Sequence, residues 1–153
     1  MASSAFVVRS SHRGDSLRLW PRDAPVFGLG WKARLEFGEG LRAEANVDVV
    51  GHGGAPLQLD RYFASLAKQW RGWRDELAWD GDNIELAARH DGLGTVTLTV
   101  MLECCDEDEP LVEPWTTAAR VGEWRVYGNL FVDAGALDQL ARDAARGFAN
   151  PGW

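Results

Sequence analysis

Three histidines, two adjacent cysteines and a cluster of carboxylates are the groups in this 153-residue chain equipped to act on a substrate or hold an ion. His90 and Asp91 are neighbours, and a carboxylate can orient an imidazole for acid–base work or metal binding. Successive strand residues point to opposite faces, however, so the simpler role for His90 is a hairpin residue whose ring bonds nearby backbone. His52 stands among Gly51, Gly53 and Gly54. Such a loop lets backbone amides approach a ligand beside a neutral imidazole, but no nucleophile or carboxylate lies at a diagnostic spacing, and a connector between sheet and helix is the better reading. His12 falls in a loose turn. Cys104 and Cys105 cannot bridge without straining the peptide between them, and they complete neither a CxxC pair nor a zinc signature. They read as ordinary thiols at a strand end. The chain has no phosphate loop, dinucleotide fingerprint, HExxH or GxSxG, and Gly28-Leu29-Gly30 lacks a third glycine and precedes a strand. No catalytic residue, metal or cofactor is expected, and an enzyme is the less favoured class.

The remaining candidates are surfaces. The chain carries eight tryptophans, the residue most enriched in interface hot spots. Trp70 and Trp73 are three apart in a helical pattern, and Trp79 follows closely. They form either a Trp-rich core beneath a helix or a partly exposed aromatic or ligand face shared with His90 and His52. Arg71 and Arg74 flank the pair and are placed to stack on the rings. The acidic residues Glu103, Asp106, Glu107, Asp108, Glu109 and Glu113 fall within 103–119, a stretch with no Lys or Arg, in a chain of formal charge −7. So dense a run repels itself and steers a basic partner, or else is simply solvated. It lacks the DxDxDG pattern of a calcium loop. The negative balance disfavours nucleic acid and anionic membranes as partners. No apolar run reaches the ~18 residues of a membrane span, and Met1–Phe6 has neither the basic start nor the apolar core of a secretion signal, so a cytoplasmic location is expected. Arg13-Gly14-Asp15 spells an adhesion tripeptide but reads as a turn.

The elements that must position these groups are legible as periods. Trp31, Ala33, Leu35 and Phe37 alternate with charged residues, then Gly38-Glu39-Gly40 turns the chain into a second alternating run from Leu41 to Val49. Leu59, Phe63, Leu66, Trp70 and Trp73 recur at steps of three and four, predicting a helix over 57–73 with Asp60 near its capped start. Leu77 and Trp79 begin a short strand. Ile84, Leu86 and Ala88 lead through the Asp91–Gly94 turn to Val96, Leu98, Val100 and Leu102. Trp115–Val121 and Trp124–Val132 read as the last hairpin, and Leu137, Leu140, Ala141, Ala144 and Phe148 as the stripe of a closing helix capped by Asp133. Phe6–Val8 and Leu17–Trp20 read as short strands before Pro21, Pro25, Gly28 and Gly30 interrupt regular structure. The expectation is an α+β fold: a mainly antiparallel, twisted sheet of about six to eight strands in meander hairpins, with two helices packed on it. Residues 1–30 form a loosely patterned N-terminal segment and 31–150 a single domain.

The segments Phe63–Ala67 with Trp70-Arg71-Gly72-Trp73, His90–Val100 beginning His-Asp-Gly-Leu-Gly, and Val132–Asp138 resemble a family of small actinobacterial proteins known only as a domain of unknown function. That resemblance spans roughly residues 31–148 and implies no activity. The strand order and closing helix also resemble, more loosely, bacterial immunity proteins of the WapI type, which neutralise a neighbouring toxin. The leading expectation is a non-enzymatic binding protein of immunity type, using the acidic stretch or the aromatic face. A small-molecule binder or enzyme with a pocket near Trp70, Trp73 and His90 is the alternative. A homo-oligomer formed through a sheet edge is the third.

Overall fold

The computed structural model describes residues 5–26, 29–49, 58–104 and 124–148. Along the chain run β1 (Phe6–Arg9), β2 (Ser16–Val26), β3 (Leu29–Glu36), β4 (Arg42–Val47), α1 (Leu59–Lys68), β5 (Glu76–Asp80), β6 (Ile84–His90), β7 (Thr95–Cys104), β8 (Trp124–Asp133) and α2 (Leu137–Phe148). A single 3-10 turn, Ala134–Ala136, leads into α2. The fold is α+β, and every strand pairing among the described residues is antiparallel. The strands divide into two four-stranded meanders, ordered β1-β2-β3-β4 and β5-β6-β7-β8. Alternation along a strand is the same in one sheet or two, so the sequence pattern does not reveal this division.

Period-two patterning turns one face of each sheet inward. Leu17, Leu19, Ala33, Leu35, Ala45 and Val47 from the first sheet join Ile84, Leu86, Leu98, Val100, Leu102 and Leu130 from the second in one buried cluster. Helix α1 adds Leu59, Tyr62, Phe63 and Leu66, spaced so that all four fall on one face. Helix α2 adds Leu137, Ala144 and Phe148 and lies against α1. Aromatic rings tie the layers together: Phe6 is 5.2 Å from both Phe63 and Phe148, and Trp31 is 4.6 Å from Phe148. The N-terminal strands therefore share the core of the rest of the chain.

Among the described residues, hydrogen bonds join the sheets at two seams. At one, the Asp48 amide donates to the Asp82 carbonyl, and the Asn83 side chain donates to the Asn46 carbonyl at 3.0 Å. At the other, the Ser11 amide donates to the Phe131 carbonyl at 2.8 Å while the Phe131 amide donates to Ser10 Oγ at 3.0 Å.

Several local expectations are corrected. Helix α1 stops at Lys68 rather than reaching Trp73, because Gln69 and Trp70 donate to carbonyls three residues back, which tightens and ends the helix. Its N-cap is Gln58, which makes no side-chain cap bond, so Asp60 lies in the first turn and does not cap. Pro21 and Pro25 sit inside β2 instead of ending it. The pairing of β2 with β3 shifts register between Pro21 and Val26, the kind of irregularity at which a sheet tolerates proline. Asp133 behaves as read, its carboxylate accepting from the Gly135 amide at 2.8 Å where the closing helical segment starts. The strand read at Trp115–Val121 and the glycine-rich loop around His52 lie outside the described residues.

Candidate functional site

Residues Trp70-Arg71-Gly72-Trp73 form the turn that leaves α1, and His90–Gly94 form the turn between β6 and β7. The structure locks these two turns together. Gly72 makes this possible: its φ of 140° is a backbone state that side chains disfavour, and it sends the chain back toward β6. The His90 ring lies against it, with Nδ1 and Cε1 only 3.6 and 3.7 Å from where a Cβ would stand.

His90 is the bolt. Its Nδ1 accepts from the Gly92 amide at 2.9 Å, so the proton of the neutral ring sits on Nε2, which donates to the Trp70 carbonyl, also at 2.9 Å. Trp73 packs edge-on to the imidazole at 5.2 Å and donates its indole N–H to the Ala88 carbonyl at 3.0 Å. Both nitrogens of His90 are thus bound to backbone, the role read from its hairpin position.

Asp91 builds the turn beyond it. Its carboxylate accepts from the Leu93 amide at 2.6 Å and the Thr95 amide at 3.0 Å. The Thr95 and Leu93 amides, with smaller help from His90, hold the Asp91 carboxyl below its ordinary range. A depressed carboxylate stabilises the fold above its unfolded pKa, and that contribution disappears as pH falls through the folded value. On acidification below about pH 4 the β6–β7 turn is therefore expected to loosen before the sheet does. Amide exchange at Leu93 and Thr95, followed from pH 6 downward, should accelerate beyond that of Leu98; parallel behaviour of the three amides would contradict it.

Two side chains project from this clasp. Trp70 is 50% exposed with the Arg71 guanidinium 5.3 Å over its ring, and Leu93 is 91% exposed at the tip of the β6–β7 turn. Leu93 was not among the candidates from sequence; the available signal was an apolar residue between two turn glycines. Trp73 is half-buried. Trp79 does not join the exposed face, because it points into the core beside Tyr62 and is 4% exposed. Tyr62 donates its hydroxyl to the Leu77 carbonyl at 2.8 Å, and burial, with the nearby Glu76 charge, pushes its phenol above the ordinary range. His52 and the acidic Asp106, Glu107, Asp108, Glu109 and Glu113 lie outside the described residues, as does Cys105. Glu103, one residue before the end of β7, makes a 2.7 Å pair with Arg125, and Cys104 is half-buried at the strand end. His12 is elsewhere, edge-on to Phe131 at 5.3 Å. Arg13-Gly14-Asp15 is the turn expected of it, closed by the Ser10 amide on the Asp15 carbonyl.

The outer face of the first sheet carries paired charges, although Arg18 Nε, beside Arg34 in register, is buried without a hydrogen-bond partner. Arg34 stands opposite Glu44 in register and donates to it at 2.6 Å, while its guanidinium lies 5.3 Å over Trp20. Desolvation raises the Glu44 carboxyl, but the Arg34 bond and charge, with Lys32 and Arg42, outweigh it and hold the group below its usual range.

Both turns of the clasp fall within residues 30–151, which match the model of a family of unknown function (DUF6228). The chain belongs to that family. No curated protein and no solved structure matches it. The DUF6228 match begins after β2, although Phe6, Val8, Leu17 and Leu19 from β1 and β2 are core residues here. Among the described residues no three His, Cys, Asp or Glu side chains gather where they would hold a metal, and no helix is long and apolar enough to cross a membrane.

Proposed function

We propose that this chain is a non-enzymatic protein-binding domain of the toxin-neutralising, immunity kind, acting in the cytoplasm, and that it takes a basic protein at the corner carrying Trp70, Arg71 and Leu93. The observation that carries this reading is the exposure of Trp70 and Leu93 on turns whose backbones are locked by His90. Apolar groups held in water on a rigid support lose little conformational freedom when a partner covers them, so more of the burial energy appears as affinity. Tryptophan and arginine are also the residues that most often dominate such contacts. The formal charge of −7, with six carboxylates between 103 and 113, favours a basic partner through steering and salt-sensitive association. The bonds from both His90 nitrogens to backbone speak against an acid–base role for the ring, and so against a catalytic pocket built around it.

The test is affinity capture from extracts of the source cell at low and moderate salt, using the native chain and a Trp70→Ser/Leu93→Ser variant. Both side chains are exposed, so the variant should keep the native circular dichroism and unfolding midpoint. A basic protein retained by the native chain and lost from the variant is the expected result. Equal retention by both would move the binding surface elsewhere, and capture of nothing by either would count against a protein partner.

A further inference from the structure

We infer that the outer edge of β8 is a docking site for a short extended segment of a partner protein, which adds to the second sheet as a further strand. This inference is independent of the corner at Trp70 and Leu93. Among the described residues β8 is an edge strand, paired only with β7 within its sheet. Backbone groups along an antiparallel strand alternate in direction, and the Phe131 amide and carbonyl bond Ser10 and Ser11, on the side away from β7. Tyr127 and Asn129 share that direction, since the register with β7 runs unbroken from Asp133 to Trp124. Among the described residues nothing takes their outward amides and carbonyls. A row of unpaired donors and acceptors of this kind is a template for another strand.

The edge opens into a cleft of about 710 Å³ whose lining includes Arg13, Asp15, Phe37, Tyr127, Asn129 and Phe131. Strand side chains alternate, so an incoming segment would lay one set beside Phe37 and the other beside Tyr127 and Phe131. Both environments suit apolar or β-branched residues. Charge selects further. Arg13 is exposed and makes no ion pair among the described residues. Asp15, which also lines the cleft, keeps its charge but is tied to the Gly38 amide at 2.7 Å, so an incoming carboxylate is favoured at Arg13 and disfavoured beside Asp15. The fitting segment therefore carries a carboxylate near Arg13, next to alternating apolar residues. A second copy of β8 fits less well. Paired about Tyr127 by a two-fold axis, it would put the copy's Trp124 opposite Leu130, against the Ser10–Ser11 bridge that closes this end of the edge.

The experiment is backbone-amide NMR on the full chain titrated with a short synthetic peptide alternating Val and Thr, with Glu at one end. Its controls are the same peptide N-methylated at alternate positions and one with Lys in place of Glu. The Tyr127 and Asn129 amides should exchange quickly in the chain alone. They should then shift saturably and become protected with the Glu peptide, and not respond to the N-methylated one. Asn129→Pro removes an outward amide and leaves the backbone pairing to β7, giving up only the side-chain bond that Asn129 Oδ1 accepts from Thr99 Oγ1. It should abolish the response, whereas Asn129→Ala, which loses the same side-chain bond but keeps the amide, should retain it. Arg13→Glu should reverse the preference between Glu and Lys peptides. The inference is overturned if these amides do not respond, if the N-methylated peptide works equally well, or if Asn129→Pro and Arg13→Glu both bind as the native chain does. It is also overturned if the same amides become protected with rising protein concentration alone, which would assign the edge to a second copy.

Discussion

Phe63→Ala is expected to cost about 3–5 kcal/mol, the range for removing a large aromatic from a packed core. The ring is 1% exposed and sits where α1 meets β1, 5.2 Å from Phe6 and 5.4 Å from Tyr62. Against the ~5–15 kcal/mol that holds an ordinary domain together, this is a large share of the whole. The cavity would open between helix and N-terminal strand, so Phe6→Ala should couple to it, with the double variant less destabilised than the sum of the single ones. Urea unfolding of the four proteins measures both quantities. Strict additivity would mean that β1 does not pack on α1 as described.

Gly81→Ala is the second large effect. A Cβ at this position would run into the Asp48 carbonyl oxygen and lie 2.6 Å from Trp79 Cη2 and 3.1 Å from Ile84 Cγ2. Backbone cannot step aside as a side-chain tip can, so one methyl group must prise the seam between the sheets and weaken the Asp48–Asp82 bridge. A loss of about 1–3 kcal/mol is expected for such overpacking. Gly128→Ala is the instructive comparison. There the added Cβ meets only side-chain tips, Leu35 Cδ2 at 2.9 Å and Phe37 Cε1 at 2.9 Å, so it should cost less. Thermal unfolding of both variants ranks them, and the reverse order would contradict the seam.

Most strands and the buried stripes of both helices were legible because burial imposes periods of two and of three to four on the sequence. β3, β6 and β7 carry inward the residues that their alternation named, and β4 does so at Ala45 and Val47, whereas Leu41, read as the first inward residue of that run, lies before the strand and is 67% exposed. What those periods do not carry is the identity of the neighbour. The split into two sheets, and the pairing of seams through Asp48 and Ser10–Ser11, depend on contacts between distant residues that leave no local pattern. Trp70 and Trp73 show a different limit. Their spacing continues the α1 stripe, so periodicity extends the helix through them, yet Gly72 and the pull of the β6–β7 turn take the chain out of helical conformation. β2 shows the opposite override, two prolines kept within a strand because the pairing shifts register around them. Of the candidate site, the structural duty of His90 was readable from hairpin geometry. Its bond to Trp70, and with it the exposed corner, was not, because it joins residues 20 positions apart.

The most direct measurement on the central claim is photo-crosslinking in the source cell, with a photoreactive residue placed at Trp70, at Leu93, or at Gln139 on the outer face of α2. Binding at the clasp corner predicts that the first two positions crosslink to the same basic protein and that Gln139 does not. Crosslinks shared equally by all three positions, or found only at Gln139, would contradict the assignment of this corner as the binding surface.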